Sequence, residues 1–245
     1  MLDLPEWFRV RLLVVVAHPD DEALGFGATG ARLADTGVPV RCCFLSGQVS
    51  ARTQRPADEE LQRDTTDAQQ ILGFGEPIFG PFPNIQMNSV PHIELVQFIE
   101  QSMRDHQADT VVTHHPHDIN DDHRQVALAG MAAARLHQRQ QDAVPALSQL
   151  LHMEILSSTE WQFPSHNSPF NPDTYVEMGS GYLERKIQAL EAYRGVMRPY
   201  PHPRSRDAIN AQAVIRGAES GLDRAEAVVT GFRSWQIEGA TLPDV

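Results

Sequence analysis

Leu12-Leu13-Val14-Val15-Val16-Ala17 runs directly into His18-Pro19-Asp20-Asp21-Glu22. Six consecutive apolar residues, β-branched at the centre and closed by a proline two positions on, read as a strand buried on both faces, as in a parallel sheet. The polar pentapeptide sets one imidazole and two adjacent carboxylates where that strand becomes a loop, and open α/β sheets bind their ligands at such strand ends. Ala23–Asp35 then reads as a helix, with Asp20 or Asp21 near its cap and Gly37 beyond its end.

The same alternation continues outward. Strands are expected at Arg11–Ala17, Val38–Leu45, Glu76–Phe79 and Thr110–Thr113, with helices at Asp58–Leu72 (ending at Gly73), Pro91–His106 and Asp121–Arg135. In the second half, Leu150–Leu156, Thr174–Met178 and Ala225–Phe232 read as strands, Tyr182–Tyr193 and Arg204–Gly217 as helices, and Ser157–Asp173 as a loop. Arg198–Pro203 carries three prolines and is excluded from any helix interior. The expected fold is α/β and Rossmann-like: one mostly parallel sheet with helices on both faces, in a single domain spanning residues 1–245.

Composition narrows the function. The chain has 245 residues, 41% of them hydrophobic, enough for a substantial core, and 20 Lys and Arg against 32 Asp and Glu give a net charge of −12. Nucleic-acid binding needs clustered basic residues, and none occur here. Cys42 and Cys43 are the only cysteines; adjacent on a strand they point to opposite faces, and they read as packed, reduced thiols. Met1–Arg9 does not read as a signal peptide and no apolar run is long enough to span a membrane, so the expectation is a soluble cytoplasmic protein. The sequence is compatible with a homo-oligomer and does not specify one.

A catalytic zinc takes about three protein ligands plus water. His18 and Asp21, three apart at a strand-to-helix turn, can converge on one ion, with Asp20 beside it as a proton acceptor and Glu22 as a helix-start residue favoured by the dipole. Asp residues after a strand also simply cap the next helix, and on these five residues alone the two readings balance. The second cluster, His114-His115-Pro116-His117-Asp118-Ile119-Asn120-Asp121-Asp122-His123-Arg124, holds four histidines and three acids in eleven residues after the fourth strand. One of its histidines is expected to complete the site; residue types and spacing do not choose among His114, His115, His117 and His123. Its plain alternative is a solvated loop in which Asp121 or Asp122 caps a helix.

Ala17-His18-Pro19-Asp20-Asp21-Glu22 and Asp118-Ile119-Asn120-Asp121-Asp122-His123-Arg124 together resemble the two signature motifs of the LmbE/PIG-L-like family of zinc-dependent N-deacetylases. Weaker echoes are Ser157-Ser158-Thr159-Glu160-Trp161, Tyr182-Leu183-Glu184-Arg185-Lys186 and His202-Pro203-Arg204-Ser205. The resemblance implies a Rossmann-like fold, Zn²⁺ held by His18, Asp21 and His123, Asp20 as general base, and an acetylated amino sugar as the small-molecule substrate. Iron or cobalt also accept such a donor set.

The chain departs from the family where several members carry an oxyanion-stabilising His three residues before the last ligand; Asn120 stands there. The oxyanion role is open among Asn120, His115 and His202, with His202 ranked first of the histidines because prolines flank it. Arg63 and Asn84 occupy positions where relatives present substrate-binding groups, and Trp161 is a candidate for stacking on a sugar. Two competing functions share these residues: a metal-dependent hydrolase of another amide or ester, and a nucleotide-binding module using Gly25, Gly27 and Gly30. Against the latter, the acidic loop after the first strand repels phosphate.

Overall fold

The computed structural model describes residues 10–47, 57–138, 146–162 and 169–234. The segment read above for a signal peptide, 1–9, and part of the 157–173 loop lie outside them. Seven strands form one sheet in the order β3-β2-β1-β4-β5-β7-β6. They are β1 (Leu12–Val16), β2 (Val40–Phe44), β3 (Ile78–Phe79), β4 (Thr110–His114), β5 (Gln149–Met153), β6 (Thr174–Glu177) and β7 (Ala225–Arg233). The first five are mutually parallel; β7 enters between β5 and β6 and pairs antiparallel with both. The helices are α1 (Asp21–Asp35), α2 (Asp58–Leu72), α3 (His92–His106), α4 (Asp121–His137), α5 (Gly179–Ala192) and α6 (Arg206–Ser220).

β1 shows why the sheet is covered on both sides. Leu12, Val14 and Val16 enter the core that also takes Leu24, Phe26, Leu72, Leu183 and Leu190 from α1, α2 and α5. Leu13, Val15 and Ala17 enter the opposite core with Leu95, Ile99, Met103 and Val126 from α3 and α4. Each such side chain is worth about 1.5–3 kcal/mol of burial, so a one-residue slip of β1 is strongly disfavoured. Cys42 and Cys43 divide between the same two cores, as unpaired thiols.

The element boundaries follow local chemistry. α2 starts with Asp58, Glu59 and Glu60 in its first turn, with Glu60 Oε2 accepting from Ala57 N at 3.0 Å, and stops at Gly73 with φ 77°. Gly25 lets α1 approach the sheet, because a Cβ there would lie 2.5 Å from Met153 Sδ.

Most strand ends shift by a residue or two from expectation, and two of the shifts bear on the site. β4 runs one residue further, placing His114 on the strand, and β5 stops at Met153 rather than continuing to Leu156. There the chain folds back on itself: Ile155 N donates to Thr159 Oγ1 at 2.8 Å, and Ser158 N to Ile155 O at 3.1 Å. No helix among the described residues is long and apolar enough to cross a membrane.

After β1 the chain moves to β2 and β3 on one side, then returns to β4 on the other. The carboxyl ends of β1 and β4 therefore flank the point where the strand order reverses, the crevice in which open α/β sheets take ligands.

Candidate active site

Both signature stretches open into that crevice. His18 follows β1, Asp21 begins α1, and His123 lies in the first turn of α4; all three are buried, and one ligand atom from each lies within 4.8 Å of the others. Asp21 Oδ2 is the centre, 3.4 Å from His18 Nδ1, 3.4 Å from His123 Nε2 and 3.5 Å from His114 Nε2. His18 N also donates to this oxygen at 2.9 Å.

The outer nitrogens decide which imidazoles offer a lone pair inward. His18 Nε2 is 2.9 Å from Asp122 Oδ2, and His123 Nδ1 is 3.2 Å from Asp118 Oδ2. Each carboxylate draws the ring proton outward and leaves the inner nitrogen a donor, as in a carboxylate–histidine–metal triad. His114, stacked on His123 with ring centroids 3.9 Å apart, is different: its Nε2 accepts the Ala17 N–H at 2.9 Å, so that lone pair is spent on the β1–β4 junction. Two inward imidazole nitrogens and a carboxylate oxygen fit a divalent ion, and these residues could hold one.

The carboxylates are themselves braced. Asp122 accepts from Ile85 N at 2.6 Å and Met87 N at 3.0 Å. Asp118 accepts from the Ser158 hydroxyl, Thr159 Oγ1 at 2.7 Å and Asn120 N at 2.8 Å. Burial opposes charge on His123, but Asp21 and Asp118 outweigh it and push its pKa up to about 10, so with no cation bound the inner nitrogen also holds a proton, which a divalent ion would displace to take its lone pair. Against the same burial, Asp122 and Asp21 raise His18, and His123 and His18 hold Asp21 well below the usual carboxylate range. Burial and the neighbouring His123 drive His114 down to about 3, a neutral ring.

Asp20 is buried beside the cluster with φ 104° and ψ −26°, and its side chain makes no cap bond to α1. Arg204 NH1 donates to its Oδ2 at 2.8 Å, and Asp20 in turn raises the Arg204 pKa. Glu22 lies in the first turn of α1, as expected, but it is fully buried there, and that burial lifts its pKa to about 8. In the second cluster the cap of α4 is neither Asp121 nor Asp122 but Asn120, whose Oδ1 accepts from Asp122 N at 3.0 Å.

The remaining predicted residues are distributed around the cluster. His202 Nδ1 accepts from Arg204 N at 3.0 Å, and its ring lies 6.3 Å from the exposed Trp161. Asn84 is buried in the loop whose next residue, Ile85, bonds Asp122. His115 packs its ring against His117, His152 and Phe170. Arg63 is exposed on α2, its Nε donating to Glu59 O at 3.2 Å. Gly25, Gly27 and Gly30 lie inside α1 and face Met153, Lys186 and Phe74, so these glycines serve helix packing.

Residue reading missed the roles of Asp118, Asp122 and Arg204. The two acids stand in the quoted second motif and Arg204 in a weaker echo, but nothing local says which side chain each one meets.

The fold and this cluster define a class: a Rossmann-like α/β protein with a buried imidazole–carboxylate–imidazole centre at its switch point. Residues 13–134 match the family described as PIG-L: GlcNAc-PI de-N-acetylase. The uncharacterized deacetylase YaiS of Escherichia coli is 26% identical over 196 residues, covering 76% of this chain and 91% of that protein. The N,N'-diacetylchitobiose deacetylase of Pyrococcus horikoshii superposes with a TM-score of 0.74 at 17% identity, covering 94% of this chain and 87% of that one. GalB, the 4-carboxy-2-hydroxymuconate hydratase of Pseudomonas putida KT2440, superposes with a TM-score of 0.72 at 18% identity, covering 93% and 98%. The chain belongs to the PIG-L-like family of de-N-acetylases. Its fold is shared by a deacetylase and a hydratase alike.

Proposed function

We propose that this protein is a metal-dependent hydrolase that removes the N-acetyl group from an acetylated amino sugar. The observation that carries this reading is the pair of inward imidazole nitrogens, His18 Nδ1 and His123 Nε2, converging on Asp21 with their outer nitrogens held by Asp122 and Asp118. Family membership supports deacetylation, and the sugar follows the substrates named for the family and for the Pyrococcus enzyme. We assign zinc to the His18, Asp21 and His123 donor set. Zinc there would lower the pKa of water to about 7 and polarise the acetyl oxygen.

The chain's own groups supply the proton chemistry and the orientation. Asp20 accepts the proton of the attacking water and returns it to the departing amine, consistent with its burial beside Asp21. Arg204 holds Asp20 Oδ2, which assigns the proton to Oδ1. Two donors suit the developing oxyanion. Asn120 commits Oδ1 to capping α4, leaving its Nδ2 to donate. His202, whose Nδ1 accepts from Arg204 N, carries its ring proton on Nε2; burial, with Arg204 and Arg198, lowers its pKa and keeps the ring neutral at pH 7. Such a donor contributes about 3 kcal/mol to the transition state. Arg63, Asn84 and His115 are assigned to contacts with the sugar.

The test is acetate release from N-acetylglucosamine and its aryl and oligosaccharide derivatives, with simple N-acetyl amides and acetate esters alongside, with and without chelator. The expected result is chelator-sensitive release from the sugars, with Asp20→Asn retaining metal and losing about 10²–10⁴-fold in rate. Release that survives both the chelator and Asp20→Asn refutes the mechanism. Turnover of the simple amides or esters with inert sugars shifts the assignment to a different amide or ester hydrolase.

A further inference from the structure

We propose that Glu22 is the positioning residue for Asp20, and that Tyr193 and Gln69 hold Glu22 in that role. The inference rests on the reading of Asp20 as the proton acceptor. An ordinary helix N-cap has extended backbone and bonds its side chain to the first turn. Asp20 does neither: its φ of 104° lies in the region that favours glycine. That conformation frees the carboxylate for the crevice and needs an external restraint. Glu22 supplies it, with Oε2 accepting the Asp20 N–H at 3.1 Å.

Glu22 is in turn fixed from two other elements. Its Oε1 accepts from Tyr193 Oη at 2.6 Å, just past the end of α5, and from Gln69 Nε2 at 2.9 Å, on α2. Glu22 is 0% exposed, and Tyr193 and Gln69 are 2% exposed each. A carboxylate is costly to bury among neutral donors, and a helix start open to water would satisfy it at no such cost. Asp20 is therefore gripped at both ends, its main chain by Glu22 and its carboxylate by Arg204.

The test compares Glu22→Met, Glu22→Gln, Tyr193→Phe and Asp20→Asn in the acetate-release assay, alongside bound metal per chain and amide hydrogen exchange at Asp20. Gln keeps the restraint: its oxygen accepts the Asp20 N–H while its amide donates to Tyr193 and, once that side chain rotates, to Gln69 Oε1, which has no hydrogen-bond partner among the described residues. The expected result for Glu22→Met is a kcat lower by about 100-fold, the effect of misplacing a reacting group by about 1 Å, with KM and metal content unchanged. Exchange at the Asp20 amide is expected to rise about tenfold in the same variant, the loss of roughly one hydrogen bond. Glu22→Gln is expected to keep kcat within about fivefold and the amide protected, a smaller change than losing the bond outright. Tyr193→Phe, which removes one donor and carries the test if Glu22→Met does not fold, is expected to lie between them.

A parent-like kcat or unchanged amide exchange in Glu22→Met overturns the proposal, as does a Glu22→Gln variant as impaired as Glu22→Met. In the case where Glu22→Met fails to fold, parent-like kcat and exchange in Tyr193→Phe overturn it. If Asp20→Asn keeps the parent rate, the reading of Asp20 itself falls. If Asp20→Asn is inactive and Glu22→Met is not, only the positioning role falls.

Discussion

Asp122→Asn separates a designed metal support from an incidental acidic residue. Asp122 Oδ2 receives two donors, His18 Nε2 at 2.9 Å and Ile85 N at 2.6 Å, while Oδ1 receives Met87 N at 3.0 Å. Asparagine has one acceptor atom to offer. If its oxygen faces His18, its amide opposes the Met87 N–H; if it faces Met87, the amide opposes both His18 and Ile85. Either way a buried donor meets a donor, at about 1–3 kcal/mol. In the first arrangement the bond to His18 also loses charge assistance, roughly half its strength; in the second, His18 moves its proton to Nδ1 and presents no lone pair to the ion. The expected loss is about 10–100-fold in zinc affinity, or roughly 1.4–2.7 kcal/mol. Competition against a chromophoric chelator measures it, and urea unfolding of the metal-free protein measures the accompanying stability cost. Asp121→Asn is the matched control: Asp121 is 38% exposed by side chain and pairs with Arg124 at 2.5 Å on the surface of α4, so zinc affinity is expected to stay within about twofold, as for a surface pair. Equal zinc affinity in Asp122→Asn and the parent would refute the reasoning.

Two further predictions concern stability. Lys186 Nζ lies 2.8 Å from Glu226 Oε1 and 2.6 Å from Leu24 O, nearly fully buried, so Lys186→Met leaves the buried Glu226 carboxylate with its Ala28 and Thr29 N–H donors but without its counter-charge, and is expected to cost about 3 kcal/mol in urea unfolding; a loss within experimental error of zero contradicts this. Burial, with His152 and His117 nearby, lowers the His115 pKa from 6.5 to about 4, so the unfolded chain binds more protons between those values and stability present above pH 6.5 is lost as the pH falls towards 4. His115→Asn, which keeps an acceptor for His117 N, is expected to recover about 1 kcal/mol of the stability lost between pH 7 and pH 5, after allowance for solvent screening; an equal loss in both proteins argues against a neutral, buried His115.

Sequence by itself determined whatever depends on a short stretch of chain. The apolar run at 12–17 specifies β1, the acid-rich start and Gly73 stop specify α2 to the residue, and the spacing of His18 and Asp21 brings them together because one strand-to-helix turn separates them. Residue types and spacing alone left four histidines as candidates for the third position, and the family resemblance favoured His123. Tertiary structure supplies the physical reason for separating His114 from His123: pairing of β1 with β4 sends the Ala17 N–H to His114 Nε2, while Asp118 turns His123 Nε2 inward.

Tertiary structure likewise decided the partners that no local pattern encodes. Arg204 reaches Asp20 across 184 positions, and Tyr193 reaches Glu22 across 171. The insertion of β7 between β5 and β6 is of the same kind, since an alternating apolar strand carries no mark of its neighbours. His18-Pro19-Asp20-Asp21-Glu22 thus names its chemical groups by sequence, but their charge, tautomer and backbone conformation are set by residues that only folding brings within about 3 Å, the range over which hydrogen bonds act.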